Sequence, residues 1–279
     1  MNKFESLILF CLFYQLSFGQ NEIIDNHNLL TLNLKGKVKT VKSDSNYQYF
    51  DTLGNLVLDK TFTDSGSIIN YSLKYDSKFR ISEIFDSFRE ETQLCSYDTL
   101  NRVVTSKYIS TKNSKGIYID SFYYNSNNLL NRKDSYYNST KRFSQIFKYD
   151  SLNRLICNEN HDGGLYDSYN YEYDQSDRLI KMEWLDADGS VIEITTNTYE
   201  EPFKRIQQWV IYDEGKPVRF HISIFEHGND VEFFVIDSNN LIQDKVLLSY
   251  EFDKSGNWIK MTRDDEGEIK SYEREIEYY

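Results

Sequence analysis

"KYDSLNRLI", Lys148–Ile156, reads as the end of one strand, a polar turn and the start of another. The same phrase returns as "KYDSKFRI" (Lys74–Ile81), "SYDTLNRVV" (Ser96–Val104) and "EYDQSDRLI" (Glu172–Ile180). An aromatic–acid step marks each copy. It stands at Phe50-Asp51, Tyr75-Asp76, Tyr97-Asp98, Tyr149-Asp150, Tyr173-Asp174, Tyr212-Asp213 and Phe252-Asp253, with degenerate copies at Tyr124-Asn125 and Ile236-Asp237. Most steps are about 24 residues apart, a fixed period of the kind that marks repeat architectures. A second set of turn signals lies half a period away, among them Thr63–Ser67, Lys112–Gly116, His161–Gly164, Asp186–Ser190 and Asp264–Glu268. These are rich in Gly, Asp and Asn, which tolerate the positive φ of hairpin turns. Each period therefore holds two turns and two strands.

The intervening segments alternate with period two. Tyr169, Tyr171 and Tyr173 share one face, as do Ile180, Met182 and Trp184, and Tyr118, Phe122 and Tyr124. That pattern predicts antiparallel hairpins and no helix. The fold class expected is all-β: antiparallel hairpin repeats forming one extended, twisted or spiralling sheet. The 39-residue gap from Asp174 to Asp213 is read as hiding a degenerate turn near Thr198–Lys204. The final stretch, Tyr272–Tyr279, is the candidate edge strand.

One hairpin cannot bury an aromatic face by itself, so copies must pack side by side. The turn residues proposed to carry the repeat are Asp51, Asp76, Asp98, Asp150, Asp174 and Asp253, with Arg80, Arg102, Arg154 and Arg178 four positions after their acids. Each Asp can bond the backbone two residues on. Each Arg can return to that Asp or lie over the aromatic before it.

The chain has 279 residues, 2 prolines, 23 tyrosines and 18 phenylalanines, which favours half-buried pleated surface over disorder. Its net charge of −12 opposes binding to a phosphate backbone, so no nucleic acid is expected as a partner. The opening "MNKFESLILFCLFYQLSFGQNE" has a basic start at Lys3, an apolar run from Leu7 to Phe18 and small Gly19 before Gln20. It reads as a cleaved export signal. The organisation expected is a signal peptide over 1–19, a lead segment over 20–33 and a repeat domain over 34–279. The protein is expected to be exported: periplasmic, at the cell surface or secreted. No later apolar run approaches the roughly 20 residues of a helical span, so no membrane span is expected. Cys95 and Cys157 sit two copies apart, roughly 19 Å across a flat sheet, too far for a disulfide.

"YDSLNRLI", "YDTLNRVV" and "YDQSDRLI" resemble the YD repeat of RHS-type bacterial proteins. Phe252–Tyr279 and Leu34–Leu56 resemble the ending and opening of short exported RHS-repeat-like proteins of uncharacterised function. The resemblance spans Leu34 to Tyr279 and implies hairpins spiralling in one wide sheet. In large members the shell encloses a C-terminal toxin. Here the chain is too short for such a shell, and it stops at Tyr279 directly after the last copy, so the toxin activity is not expected to carry over.

Motifs of chemistry are sparse. His27, His161, His221 and His227 stand outside any H-E-x-x-H or Cys/His metal spacing. "DADGSVIE" (Asp186–Glu193) lacks the EF-hand acids, with Trp184 and Thr195 at two ligand positions, and reads as a D-G turn. There is no G-x-S-x-G, phosphate loop or dinucleotide fingerprint. No cofactor and no metal are expected. Three turns, "DTL" at Asp51–Leu53, "DTL" at Asp98–Leu100 and "DSL" at Asp150–Leu152, match an O-glycosylation pattern with Thr52, Thr99 and Ser151 as acceptors. The function expected is a non-enzymatic envelope or extracellular binding or structural module, its partner a protein or glycan of the envelope. The alternative is an enzyme or glycan-binding protein acting on envelope polysaccharide, with acids such as Asp186, Asp188 or Glu193 in a groove.

Overall fold

The computed structural model describes residues 34–62, 68–110, 116–200, 204–239 and 241–279. The proposed signal and lead segments fall outside them. Twenty strands run in chain order. They are β1 (Val38–Ser43), β2 (Asn46–Phe50), β3 (Leu56–Phe62), β4 (Ile68–Tyr75), β5 (Ile81–Asp86), β6 (Glu91–Tyr97) and β7 (Val103–Ser110). Next come β8 (Tyr118–Tyr124), β9 (Leu130–Tyr137), β10 (Thr140–Tyr149), β11 (Leu155–His161), β12 (Leu165–Tyr173) and β13 (Leu179–Asp186). The last are β14 (Val191–Glu200), β15 (Lys204–Asp213), β16 (Lys216–Glu226), β17 (Asn229–Asp237), β18 (Ile242–Phe252), β19 (Trp258–Asp265) and β20 (Glu268–Tyr278). Each strand pairs antiparallel with its chain neighbours, and β20 pairs with β1. The architecture is a closed 20-stranded antiparallel barrel.

Closure overturns the expected extended or spiralling sheet. It also removes the expected edge: Tyr272–Tyr279 lies between β19 and β1, with Ile276 opposite Val41 and Glu277 opposite Thr40. The physical reason is that a sheet edge presents unpaired backbone groups, and a ring satisfies them all. Closure also undercuts the expectation of no membrane span, which rested on the lack of a long apolar helix. Among the described residues no helix is long and apolar enough to cross a membrane. A closed barrel crosses with strands instead, so that expectation does not stand.

The seam is built at one rim. Asn257 is 1% exposed; its Oδ1 accepts from the Lys35 N–H at 2.7 Å. Its Nδ2 donates to the Lys35 carbonyl and to the Tyr278 hydroxyl, each at 2.7 Å. Tyr278 in turn donates to Asp253. The Tyr279 hydroxyl donates to the Phe50 carbonyl at 2.6 Å, and Lys39 pairs with Glu277 at 2.8 Å. Beneath this lies an apolar cluster of Leu34, Val38, Val41, Phe50, Leu56, Leu73 and Ile81. Burying side chains of this kind contributes about 1.5–3 kcal/mol each.

The repeat turn has one geometry. In the copy at Asp76, Oδ1 accepts from the N–H of Lys78 at 2.8 Å and of Arg80 at 3.1 Å, and Oδ2 from Arg80 Nε at 2.7 Å. The copies at Asp98, Asp150 and Asp174 repeat these bonds with Arg102, Arg154 and Arg178. The residue three after the acid is left-handed: φ is 85° at Gly54, 66° at Asn101, 64° at Asn153 and 82° at Gly256. Phe79, at φ 60°, takes the same conformation with a bulky side chain. Each Arg lies over the aromatic of the next copy, not the one before. Arg80 is 4.2 Å from the Tyr97 ring and Arg102 4.4 Å from Tyr124. The tyrosines clamp the open end of each hairpin by donating to a carbonyl of the partner strand, as in Tyr97 to Ile81 at 2.7 Å and Tyr149 to Leu130 at 2.7 Å.

Candidate functional site

Residues directly paired across antiparallel strands point to the same face of the sheet. One set of faces holds most of the buried residues of the strands, among them Phe50, Leu73, Ser106, Phe122, Tyr171, Thr195, Asn197, His221, Ser223 and Val235. The other set carries exposed cross-strand pairs such as Lys74–Glu83 and Lys245–Glu232. Side chains converge on the concave side of a closed sheet, so the crowded set is the inner wall. Among the described residues, no strand approaches any strand but its two ring neighbours. The two apolar clusters are local to β1–β5 and to β7–β9.

Across β10–β14 this wall carries a polar and aromatic array. One row runs Phe147, Asn158, Tyr169, Trp184 and Glu193, each directly opposite the next. The Tyr169 and Trp184 rings are stacked, with centroids 5.7 Å apart and planes 11° from parallel. Register alone sets this: the turn at Asp174 brings Tyr169 opposite Trp184. A chain of hydrogen bonds fixes the indole. Gln145 Nε2 donates to Asn160 Oδ1 at 3.1 Å, Asn160 Nδ2 to Asp167 Oδ1 at 2.6 Å, and Trp184 Nε1 to Asp167 Oδ2 at 3.1 Å. The neighbouring row holds Tyr171, Met182, Thr195, Trp209 and His221. Thr195 donates to Glu193 Oε1 at 3.2 Å, and burial pushes the Glu193 carboxyl above the usual carboxylate range.

Two amide oxygens on this wall accept no hydrogen bond: Oδ1 of Asn158, 8% exposed, and Oδ1 of Asn197, 7% exposed. A buried acceptor without a donor costs about 1–3 kcal/mol. Further round, Asp230 is half-buried beside Ser223, and burial pushes its carboxyl up to about 7. Burial lowers the His221 imidazole below its ordinary range.

The residues singled out in the sequence lie elsewhere. Asp51, Asp76, Asp98, Asp150, Asp174 and Asp253 all sit on one rim, each in its own turn. Thr52, Thr99 and Ser151 are exposed on the same rim, beside exposed Leu53, Leu100 and Leu152. Asp186 and Asp188 are exposed at the opposite rim, where Asp186 stands opposite Asp167 at the edge of the inner face, and Glu193 lies further along that face. His27 lies outside the described residues, His161 approaches Glu159 at 3.6 Å, and His227 occupies a tight turn with φ 51°. Among the described residues no group of three His, Cys, Asp or Glu is arranged to hold a metal. Cys95 and Cys157 are free thiols, the first pushed up to about 11 by burial. The sequence reading missed Asn158, Asn197 and the pairing of Tyr169 with Trp184. The alternation of "LICNEN" and "VIEITTN" placed these amides on the aromatic face, and that was the available signal.

No protein-family model matches the chain, and no curated protein matches it. Solved structures do align. A TcdB2–TccC3 complex is 12% identical over 78% of this chain and 14% of its own, with a TM-score of 0.38. The Photorhabdus luminescens Tc holotoxin pore is 13% identical over 87% of this chain and 15% of its own, with a TM-score of 0.39. A porin-like protein from Bacteroides uniformis is 10% identical over 87% of this chain and 98% of its own, with a TM-score of 0.39. The chain thus spans about a seventh of the two toxin chains. At these identities and scores the alignments carry no functional argument.

Proposed function

We propose that this protein is an exported, RHS-repeat-like envelope barrel that works by binding, with its ligand held on the inner wall. The observation that carries the reading is the wall across β10–β16. Its aromatic rings and its amide and carboxylate groups share one face of the sheet. Such groups belong to recognition sites, where convergent polar atoms orient a ligand against apolar surface. The apolar opening segment, read as an export signal, and the closed ring are compatible with an envelope location.

The test is capture by the immobilised full-length protein from an envelope extract of the native host, with bound proteins and sugars both identified. The proposal expects a ligand retained by the native protein, released by the free protein, and lost in Tyr169→Ala. Equal retention by native and heat-denatured protein, or retention unaffected by Tyr169→Ala, would count against it.

A further inference from the structure

A second surface lies on the outer side of the ring, apart from the inner wall. We propose that the outer face of β14–β18, beneath the rim formed by the turns after β13, β15 and β17, docks a basic amphipathic segment of a partner protein.

The apolar surface comes first. Ile194, Val210, Phe220, Ile236 and Ile242 stand directly opposite one another across five strands, and the row ends at Glu183 on β13. Ile222 and Phe234 are paired in the next row. All of these are half-buried or exposed; Ile242 is 57% exposed, and Val218 and Leu241 beside the rim are 42% and 60% exposed. Among the described residues, β14–β18 meet no strand but their ring neighbours, so no other strand covers this face. At about 4.8 Å per strand the row is roughly 19 Å long, the length of about 13 helical residues. Contiguous exposed apolar surface of this kind marks interaction sites.

Charge decides the occupant. The three turns above the row carry Asp186, Asp188, Asp213, Glu214 and Asp237 against Lys216 and Arg219. Among the described residues, Asp186, Asp188, Asp213 and Glu214 take no Lys or Arg partner. The opposite rim is built otherwise: its turn acids Asp76, Asp98, Asp150 and Asp174 are each neutralised by their own Arg. The cations that flank the next row, Lys181 and Lys245, are already paired with Glu183 at 2.8 Å and Glu232 at 3.0 Å. A segment apolar on one side and rich in Lys or Arg on the other sets the first side on the row and the second against the acidic turns. An anionic headgroup or a nucleic acid meets repulsion from the same acids. A second copy of this chain, at a net charge of −12, brings no surplus of cations to them.

The experiment places a photo-reactive phenylalanine analogue at position 220 of the full-length protein. The protein is irradiated in an envelope extract of the native host, and the adduct is sequenced by mass spectrometry. The proposal expects a cross-link to a host protein through a segment of net positive charge. The yield should fall several-fold in a protein carrying Asp213→Asn and Glu214→Asn, Asn being suited to the left-handed backbone at 214, where φ is 47°. It should also fall several-fold at roughly 0.5 M salt. Asp177→Asn, which removes one charge from the opposite rim at a position where Asn101 and Asn153 serve sister turns, should leave the yield unchanged. An adduct with lipid, with a second copy or with an acidic segment would overturn the proposal. So would no adduct at all, or a yield indifferent to both the double variant and salt.

Discussion

Two sectors of the ring are built differently. From β1 to β13 the strands run 5–10 residues, and the outer face carries cross-strand ion pairs such as Lys74–Glu83 at 2.6 Å and Lys181–Glu172 at 3.3 Å. From β14 to β18 the strands run 9–11 residues. Their outer face carries apolar rows: Ile194, Val210, Phe220, Ile236 and Ile242 in one, Ile206, Ile224 and Leu247 flanking Glu232 in another. Polar Thr195, Asn197, His221 and Ser223 are buried on the inner side. Val235 and Val246 are buried beside these polar groups, so the inner side is mixed while the outer side carries apolar rows, and 9–11 residues is the length of a tilted strand in a bilayer. The contrast shows that one ring can be closed by a single repeat while its wall chemistry changes from sector to sector.

The repeat spacing records where the change occurs. Steps of 22–27 residues are two strands, so successive acids return to the same rim. The 39-residue step from Asp174 to Asp213 crosses three strands, β13 to β15, and lands on the opposite rim. Asp237 stays there, and the 16-residue step to Asp253 is the single strand β18, which returns the motif to the first rim.

The largest contrast between the sectors should come from core truncation. Ile81, 0% exposed beneath the seam, changed to Ala should cost about 2–5 kcal/mol, whereas Ile222→Ala on the outer face of β16 should cost well under half as much. Denaturant midpoints at unchanged m-value measure both, and equal losses would erase the distinction. Next comes the seam. Asn257→Ala strips partners from both backbone groups of Lys35 and should cost about 1–3 kcal/mol, with faster amide exchange along β1 than along β16. Uniform exchange around the ring would place the weak point elsewhere.

A smaller effect, of opposite sign, is expected at Phe79. Its left-handed backbone costs a non-Gly residue about 1–2 kcal/mol, so Phe79→Asn should raise the melting temperature, as Asn101 and Asn153 serve the same position. The least effect is in pH dependence, which differs in sign between the sectors. Asp76 is held down to about 2, chiefly by its hydrogen bond from Arg80. Its contribution is present above the ordinary carboxylate pKa and is lost as pH falls towards 2. Asp230, pushed up to about 7 by burial, binds its proton more tightly in the folded state. It therefore lowers stability as pH rises from about 4 to 7. Asp230→Asn should flatten the stability profile over that range, and Asp76→Asn should flatten it only below.

Much of the local structure was legible. Period-two aromatics marked the strands, and Gly, Asn and Asp marked both sets of turns. Closure was not, because the contact between β1 and β20 is a backbone ladder between segments more than two hundred residues apart. A trace of it exists: Asn55 and Asn257 stand where the inner copies carry Arg, and Asn257 uses its amide to grip Lys35. The inner-wall site was half legible. Tyr169, Tyr171, Met182 and Trp184 were placed on their faces, but which residue opposes which depends on the bulge at Tyr173, which composition does not report. Asparagines 158 and 197 carry no motif; their importance comes from burial.

The closed ring is tested most directly by a cross-link across the seam. Thr40 and Glu277 are directly opposite on β1 and β20. Such pairs have Cα atoms about 4.5–5.5 Å apart, within disulfide reach. With Cys95 and Cys157 changed to Ser, Thr40→Cys and Glu277→Cys together should form an intramolecular disulfide under mild oxidation, seen as a mobility shift reversed by reductant. In an open sheet of twenty strands the two positions would lie roughly 90 Å apart. A protein that stays fully reduced, or cross-links only between molecules, would contradict closure.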